Sequence, residues 1–155
     1  MRPGARLGVD VGTVRVGIAR SDPEGMMAVP VETLPRDTAL SAIARLVEEL
    51  SSLEVIVGLP LSLSGSHTPS TNDAEAFAME LAKALSVPVR MIDERLSTVQ
   101  AHANLRGAGK SSESQREMID QAAAVILLQH ALDSERAQGV APGHRVDVNG
   151  SSNDE

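Results

Sequence analysis

Cysteine is absent from the 155 residues, as are tryptophan and tyrosine, and Phe77 is the single aromatic side chain. Without cysteine there is no disulfide framework, no thiol nucleophile and no thiolate-held zinc. One aromatic ring cannot make the stacked platform on which many single-strand and RNA-binding modules seat bases. Lysine is scarce too: Lys83 and Lys110 are the only two, and the other basic residues are arginines. The net charge of −7 argues against a general coat protein for nucleic acid, because that affinity comes largely from Lys and Arg. No apolar run approaches the ~18 residues that a membrane helix needs. The opening residues Met1–Arg6 lack the apolar stretch of a signal peptide. A soluble cytoplasmic protein with no membrane partner is the expectation.

What is present fits one domain with a real core, since 42% of the residues are hydrophobic. Residues 6–12 and 14–20 read as a hairpin whose strand alternation resumes after Gly12. Met26–Leu34 is a third strand, and its Pro30 belongs on an edge or at a bulge. Asp37 or Thr38 can cap a helix running to about Leu50. Glu54–Gly58 is almost wholly apolar, as a strand buried on both faces should be. A loop to Pro69 follows, then a helix for which Asn72 and Glu75 would form the capping box. Val87–Asp93 is another buried strand. Ser97–Gln100 caps a short helix ending near Gly107, and Ser114–Glu117 opens or restarts one reaching about Glu135. The expected domain spans residues 1–136, and 137–155 reads as a disordered tail carrying Asp147, Asp154 and Glu155.

A meander followed by strand–helix–strand crossovers implies a mixed five-stranded sheet in the order 3-2-1-4-5, with helices on both faces. Ligands of such sheets gather beyond the carboxyl ends of the parallel strands. Gly12, Gly58–Pro60 and Asp93–Arg95 all end strands there.

Four acids bear on that edge. Asp10 sits inside a strand, where a carboxylate costs several kcal/mol in desolvation unless compensated. It is either an exposed strand acid or, if both faces are covered, an acid held for a purpose. Asp93 and Glu94 follow a buried strand; both can be loop acids, but one must lie near the carboxyl end of the neighbouring strand. Arg95 can pair with an acid or hold a phosphate. Asp120 shares a helix face with Ala123, Ala124 and Leu127, a small apolar stripe that points to the protein rather than to water. The plain alternative pairs it with Arg116 on the rim. Converging carboxylates repel, and protonation or a bound divalent cation resolves the repulsion. All-oxygen ligation suits Mg²⁺ or Mn²⁺, and a pair of such ions activates water and stabilises the leaving oxygen in phosphodiester hydrolysis. His67 could shuttle protons, although a surface-loop histidine is the simpler reading.

The motifs Val9–Gly17, Ile56–Pro60, Asp93–Thr98 and Asp120–Leu128 resemble, in order, those of the YqgF/RuvX family, whose members are described as Holliday junction resolvases or pre-16S rRNA nucleases. The resemblance covers about residues 6–135. It implies an RNase H-like fold and a metal-dependent endonuclease acting on precursor rRNA or branched DNA. It implies that Asp10, Glu94 and Asp120 are the catalytic, metal-binding carboxylates and that Asp93 is a supporting acid. Arg95, Ser97 and Thr98 would support the site or contact phosphate, and Arg15 lies within the first motif. A resolvase making paired cuts should be a two-fold homodimer; an rRNA-processing enzyme need not be. Two other classes remain open: a non-catalytic nucleic-acid or ribosome-assembly module, and an actin-like ATP-binding domain suggested by Asp10–Thr13.

Overall fold

The structure is a computed structural model, and it describes residues 1–96 and 113–148. The helix expected from Ser97, with Ser97 and Thr98 themselves, lies outside the described residues.

Six strands form one sheet in the order β3-β2-β1-β4-β5-β6. They are β1 (Arg6–Val11), β2 (Arg15–Ser21), β3 (Ala28–Pro35), β4 (Glu54–Leu59), β5 (Val89–Asp93) and β6 (His144–Arg145). The helices are α1 (Ala39–Glu49), α2 (Pro69–Ala84) and α3 (Glu113–Gln138). β1 runs antiparallel to β2 and parallel to β4, and β4 runs parallel to β5. The β2–β3 register slips between Ile18 and Ala19, at Pro30, so the proline sits on an edge strand and beside a bulge.

Strand alternation sorts the core into two layers. Leu7, Val9, Val55, Val57, Val89 and Met91 face α1 and α2, meeting Ile43, Val47, Phe77 and Leu81. Ala19, Ile56 and Ile92 face the other way, against Ala123, Ala124, Leu127, Leu128 and Leu132 of α3. Helices therefore cover both faces. Asp10, set between Val9 and Val11, points to the α3 side.

The expected order 3-2-1-4-5 holds with a sixth strand added beside β5, and among the described residues helix and strand continue past 137 as far as Arg145. α3 runs on to Gln138 before Gly139, with a φ of 73°, ends it. The chain then returns because Arg90, buried within β5, donates from Nε to the Pro142 carbonyl at 2.6 Å and from Nη2 to that of Gly143 at 3.3 Å. A buried guanidinium needs such acceptors, and they draw His144 and Arg145 into register with Met91 and Arg90. The α2 cap also differs. Thr68 is the N-cap, Pro69 opens the helix and Thr71 completes the capping box, all ahead of Asn72. The Thr71 hydroxyl also donates to the Pro60 carbonyl, tying α2 to the end of β4.

The amino-terminal end of the sheet is closed by charge. Arg2 bonds both Glu54, at 2.8 Å, and Glu135, at 2.8 Å, and Arg6 approaches Glu135 at 3.3 Å. These contacts fasten α3 to β1 and β4 at the end away from the acids.

Candidate active site

Three buried carboxylates lie at the opposite edge: Asp10 is 2% exposed, Glu94 5% and Asp120 2%. One row across the sheet explains how they reach it. Asp10 on β1 is paired with Gly17 on β2. The β1–β4 register, which pairs Val9 with Val57, places Gly58 at the next position, beside Asp10. A glycine thus flanks Asp10 on each side, and each leaves a gap where a side chain would stand.

Each gap is filled by another acid. A Cβ on Gly17 would run into the backbone carbonyl of Asp120 and come within 3.2 Å of the Asp120 Cβ. A Cβ on Gly58 would lie 2.8 Å from Glu94 Oε2. Asp120 and Glu94 therefore enter from α3 and from the turn after β5, on either side of Asp10, where side chains of the two neighbouring strands would otherwise stand. Carboxylates gathered around one position repel when charged. Among the described residues, no group of three His, Asp or Glu side chains is arranged to hold a metal ion. One reason is visible: Arg15, at the start of β2, donates from Nε to Asp120 Oδ2 at 3.0 Å. The donor chemistry, three carboxylates and no histidine or sulfur, fits a hard divalent cation.

Asp93 does not share this row. It is clamped to Arg95, with Nη2 to Oδ2 at 2.7 Å and Nε to both oxygens at 3.1 Å, and it also accepts from the Arg95 backbone N–H at 2.9 Å. The Arg95 guanidinium holds the Asp93 carboxyl below its ordinary range. Arg95 in turn reaches the Leu63 carbonyl at 3.3 Å, connecting this pair to the loop after β4. His67 lies out on that loop, 3.6 Å from Glu75 and more than half exposed, well suited to a surface role.

Motif reading missed Arg36. It follows β3, and its Nη1 donates to the Gly12 carbonyl at 2.8 Å while the guanidinium takes Asp73 of α2 in a two-bond fork at 2.9 Å. Its guanidinium lies 4.9 Å from the centre of the Phe77 ring. The hairpin turn beside Asp10 is thereby tied to α2. Nothing local in the sequence marks this contact, because its partners come from two separate elements, the β1–β2 turn and α2.

The sheet order and the helices on its two faces define the RNase H-like class. Solved structures that match include the T. thermophilus RuvC complex with a Holliday junction substrate and Thermus thermophilus RuvC. The first has a TM-score of 0.57 at 16% identity, covering 90% of this chain and 98% of that one. The second has a TM-score of 0.55 at 15% identity, covering 89% and 98%. Within that class, the chain belongs to the family described as "RuvX: Holliday junction resolvase", whose model matches residues 4–134. A "Putative pre-16S rRNA nuclease" of Clavibacter michiganensis subsp. michiganensis is 56% identical over 153 residues, covering 96% of this chain and 95% of that protein. One of the same name from Streptomyces avermitilis is 52% identical over 152 residues, covering 96% and 97%. No helix among the described residues is long and apolar enough to cross a membrane.

Proposed function

We propose that this nuclease-family chain is a Mg²⁺- or Mn²⁺-dependent endonuclease that cuts phosphodiester bonds in structured nucleic acid, with the 5′ region of precursor 16S rRNA as its substrate. The observation that carries the reading is the row Gly17–Asp10–Gly58, whose two gaps admit Asp120 and Glu94. Burying three acids together costs stability, and a fold with no chemical use for them would replace one. That favours an enzyme over a non-catalytic module.

Asp10, Glu94 and Asp120 would hold the metal, as one ion or a pair. When bound, it supplies an activated water and a counter-charge for the leaving oxygen. The chain does the rest. The closed row fixes the points at which the three carboxylates enter, so their backbone positions are set before substrate arrives. Arg15 and Arg95 stand at the rim as phosphate ligands, and Asp93 supports the site by orienting Arg95. Ser97 and Thr98, next along the chain, would join them. A cytoplasmic location follows from the substrate.

The relatives' names favour the rRNA reading, and the family description favours a four-way junction as the second. Purified protein given both substrates with Mg²⁺, Mn²⁺ or chelator separates them. The rRNA reading expects discrete cuts in the precursor and none in the junction. Paired symmetric cuts in the junction alone, by a two-fold homodimer in light scattering, would replace it.

A further inference from the structure

We propose that Arg15 is a built-in competitor of the metal for Asp120, released toward the substrate phosphate when the metal binds. The inference rests on the three-acid reading above and deepens it. Arg15 and Gly17 alternate along β2, so both face α3. Gly17 brings the Asp120 backbone and Cβ beside Asp10, which is where a metal ligand should start. The Asp120 carboxylate is nevertheless taken by Arg15, whose Nε lies 3.0 Å from Oδ2. Asp120 is almost wholly buried, while the Arg15 side chain is 21% exposed and is the solvent-facing member of the pair.

The two occupancies oppose each other on charge. A dication and a guanidinium sharing one carboxylate would stand a few ångströms apart and repel. Metal binding therefore costs the Arg15–Asp120 pair, and the freed guanidinium stays at the mouth, where a phosphate can take it. Coupling of this kind is reciprocal. A nucleic acid phosphate that engages Arg15 strengthens metal binding by the same factor by which metal strengthens binding of that phosphate. The metal-free protein then keeps Asp120 paired, and the site assembles fully only when metal and substrate are both present.

The test compares wild type with Arg15→Gln in the full chain, without nucleic acid, by calorimetric titration with Mn²⁺ and by thermal unfolding. Arg15→Gln is expected to bind Mn²⁺ about threefold to tenfold more tightly, as removal of one partly buried competing pair implies. In chelator its Tm is expected to fall by about 2–4 °C. Saturating Mn²⁺ should erase that deficit, because the bound wild type no longer has the pair. A Tm deficit that persists in saturating Mn²⁺, or equal affinities, would overturn the exchange and leave the three-acid site standing. Absence of Mn²⁺ binding by both proteins would take down the three-acid reading as well.

Discussion

Gly58→Ala tests the geometry of the site without touching an acid. The new Cβ would lie 2.8 Å from Glu94 Oε2, 2.9 Å from Cδ and 3.0 Å from Cγ. Ordinary contact begins near 3.4 Å, so the carboxylate must retreat by at least about 0.6 Å. All three atoms belong to the end of one flexible side chain, so Glu94 can swing away without moving backbone. The stability cost is therefore about 1 kcal/mol, the low end for overpacking, or about 2–4 °C in Tm for a chain of this size. Function should suffer far more. A catalytic group must be held within about 0.5 Å, and a misplacement near 1 Å costs roughly a hundredfold in rate. The assay is kcat/KM for metal-dependent cleavage, with Tm and circular dichroism measured on the same preparations. Cleavage within twofold of wild type by a folded Gly58→Ala protein would refute the placement of Glu94 in the reacting row. Gly17→Ala is the contrasting control. Its Cβ meets the main chain of α3, with the Asp120 carbonyl carbon at 2.5 Å. Backbone cannot swing aside, so the loss should appear as about 2–3 kcal/mol of stability.

Asp10→Asn, Glu94→Gln and Asp120→Asn are each expected to abolish metal-dependent cleavage while leaving the far-ultraviolet dichroism of wild type; normal turnover by any one removes that residue from the catalytic set. Glu135 governs acid stability: hydrogen bonds from Arg2 pull its carboxyl from 4.5 to about 2. Its contribution is complete above about pH 4.5 and is lost as pH falls toward 2, amounting to about 2–3 kcal/mol. Glu135→Gln should flatten the slope of Tm against pH in that window, and an unchanged slope would contradict the Arg2–Glu135 account. Arg36→Ala frees the Gly12 carbonyl and Asp73, and should cost about 1–2 kcal/mol by urea unfolding together with a fall in kcat. An unaltered kcat would show that the turn beside Asp10 holds its shape without the tie to α2.

Element order was legible wherever burial imposes a period. Val55, Ile56 and Val57 read as a strand covered on both faces, and the two core layers bear this out. β6 was not legible, because His144 and Arg145 carry no apolar pattern and are exposed; their pairing depends on Arg90, buried more than fifty residues earlier. The α2 start was misjudged for a local reason. Asn72 and Glu75 satisfy the capping pattern, but Thr68 and Pro69 satisfy it one turn sooner, with φ already set by the proline. Choosing between Asp93 and Glu94 was beyond pattern reading. Adjacent acids after a strand differ only in which gap they find, and the gap belongs to Gly58 on another strand.

Asp120 shows most clearly where pattern reading stops. The small stripe of Ala123, Ala124 and Leu127 correctly turns the acid inward, since all three are buried against the sheet. Helical spacing then offers Arg116 as its partner. Asp120 also meets a cation that this spacing does not offer, Arg15, 105 residues away in the chain. Arg116 sits four residues back on the same helix, so pairing with it would need no tertiary structure. Arg15 can meet Asp120 only if α3 descends onto β2, and that approach needs the missing side chain at Gly17. The glycine that admits the acid to the row thus also admits the arginine that restrains it. A larger residue at position 17 would remove both contacts together, whereas Arg15→Gln removes only the restraint; the two variants should therefore move metal affinity in opposite directions.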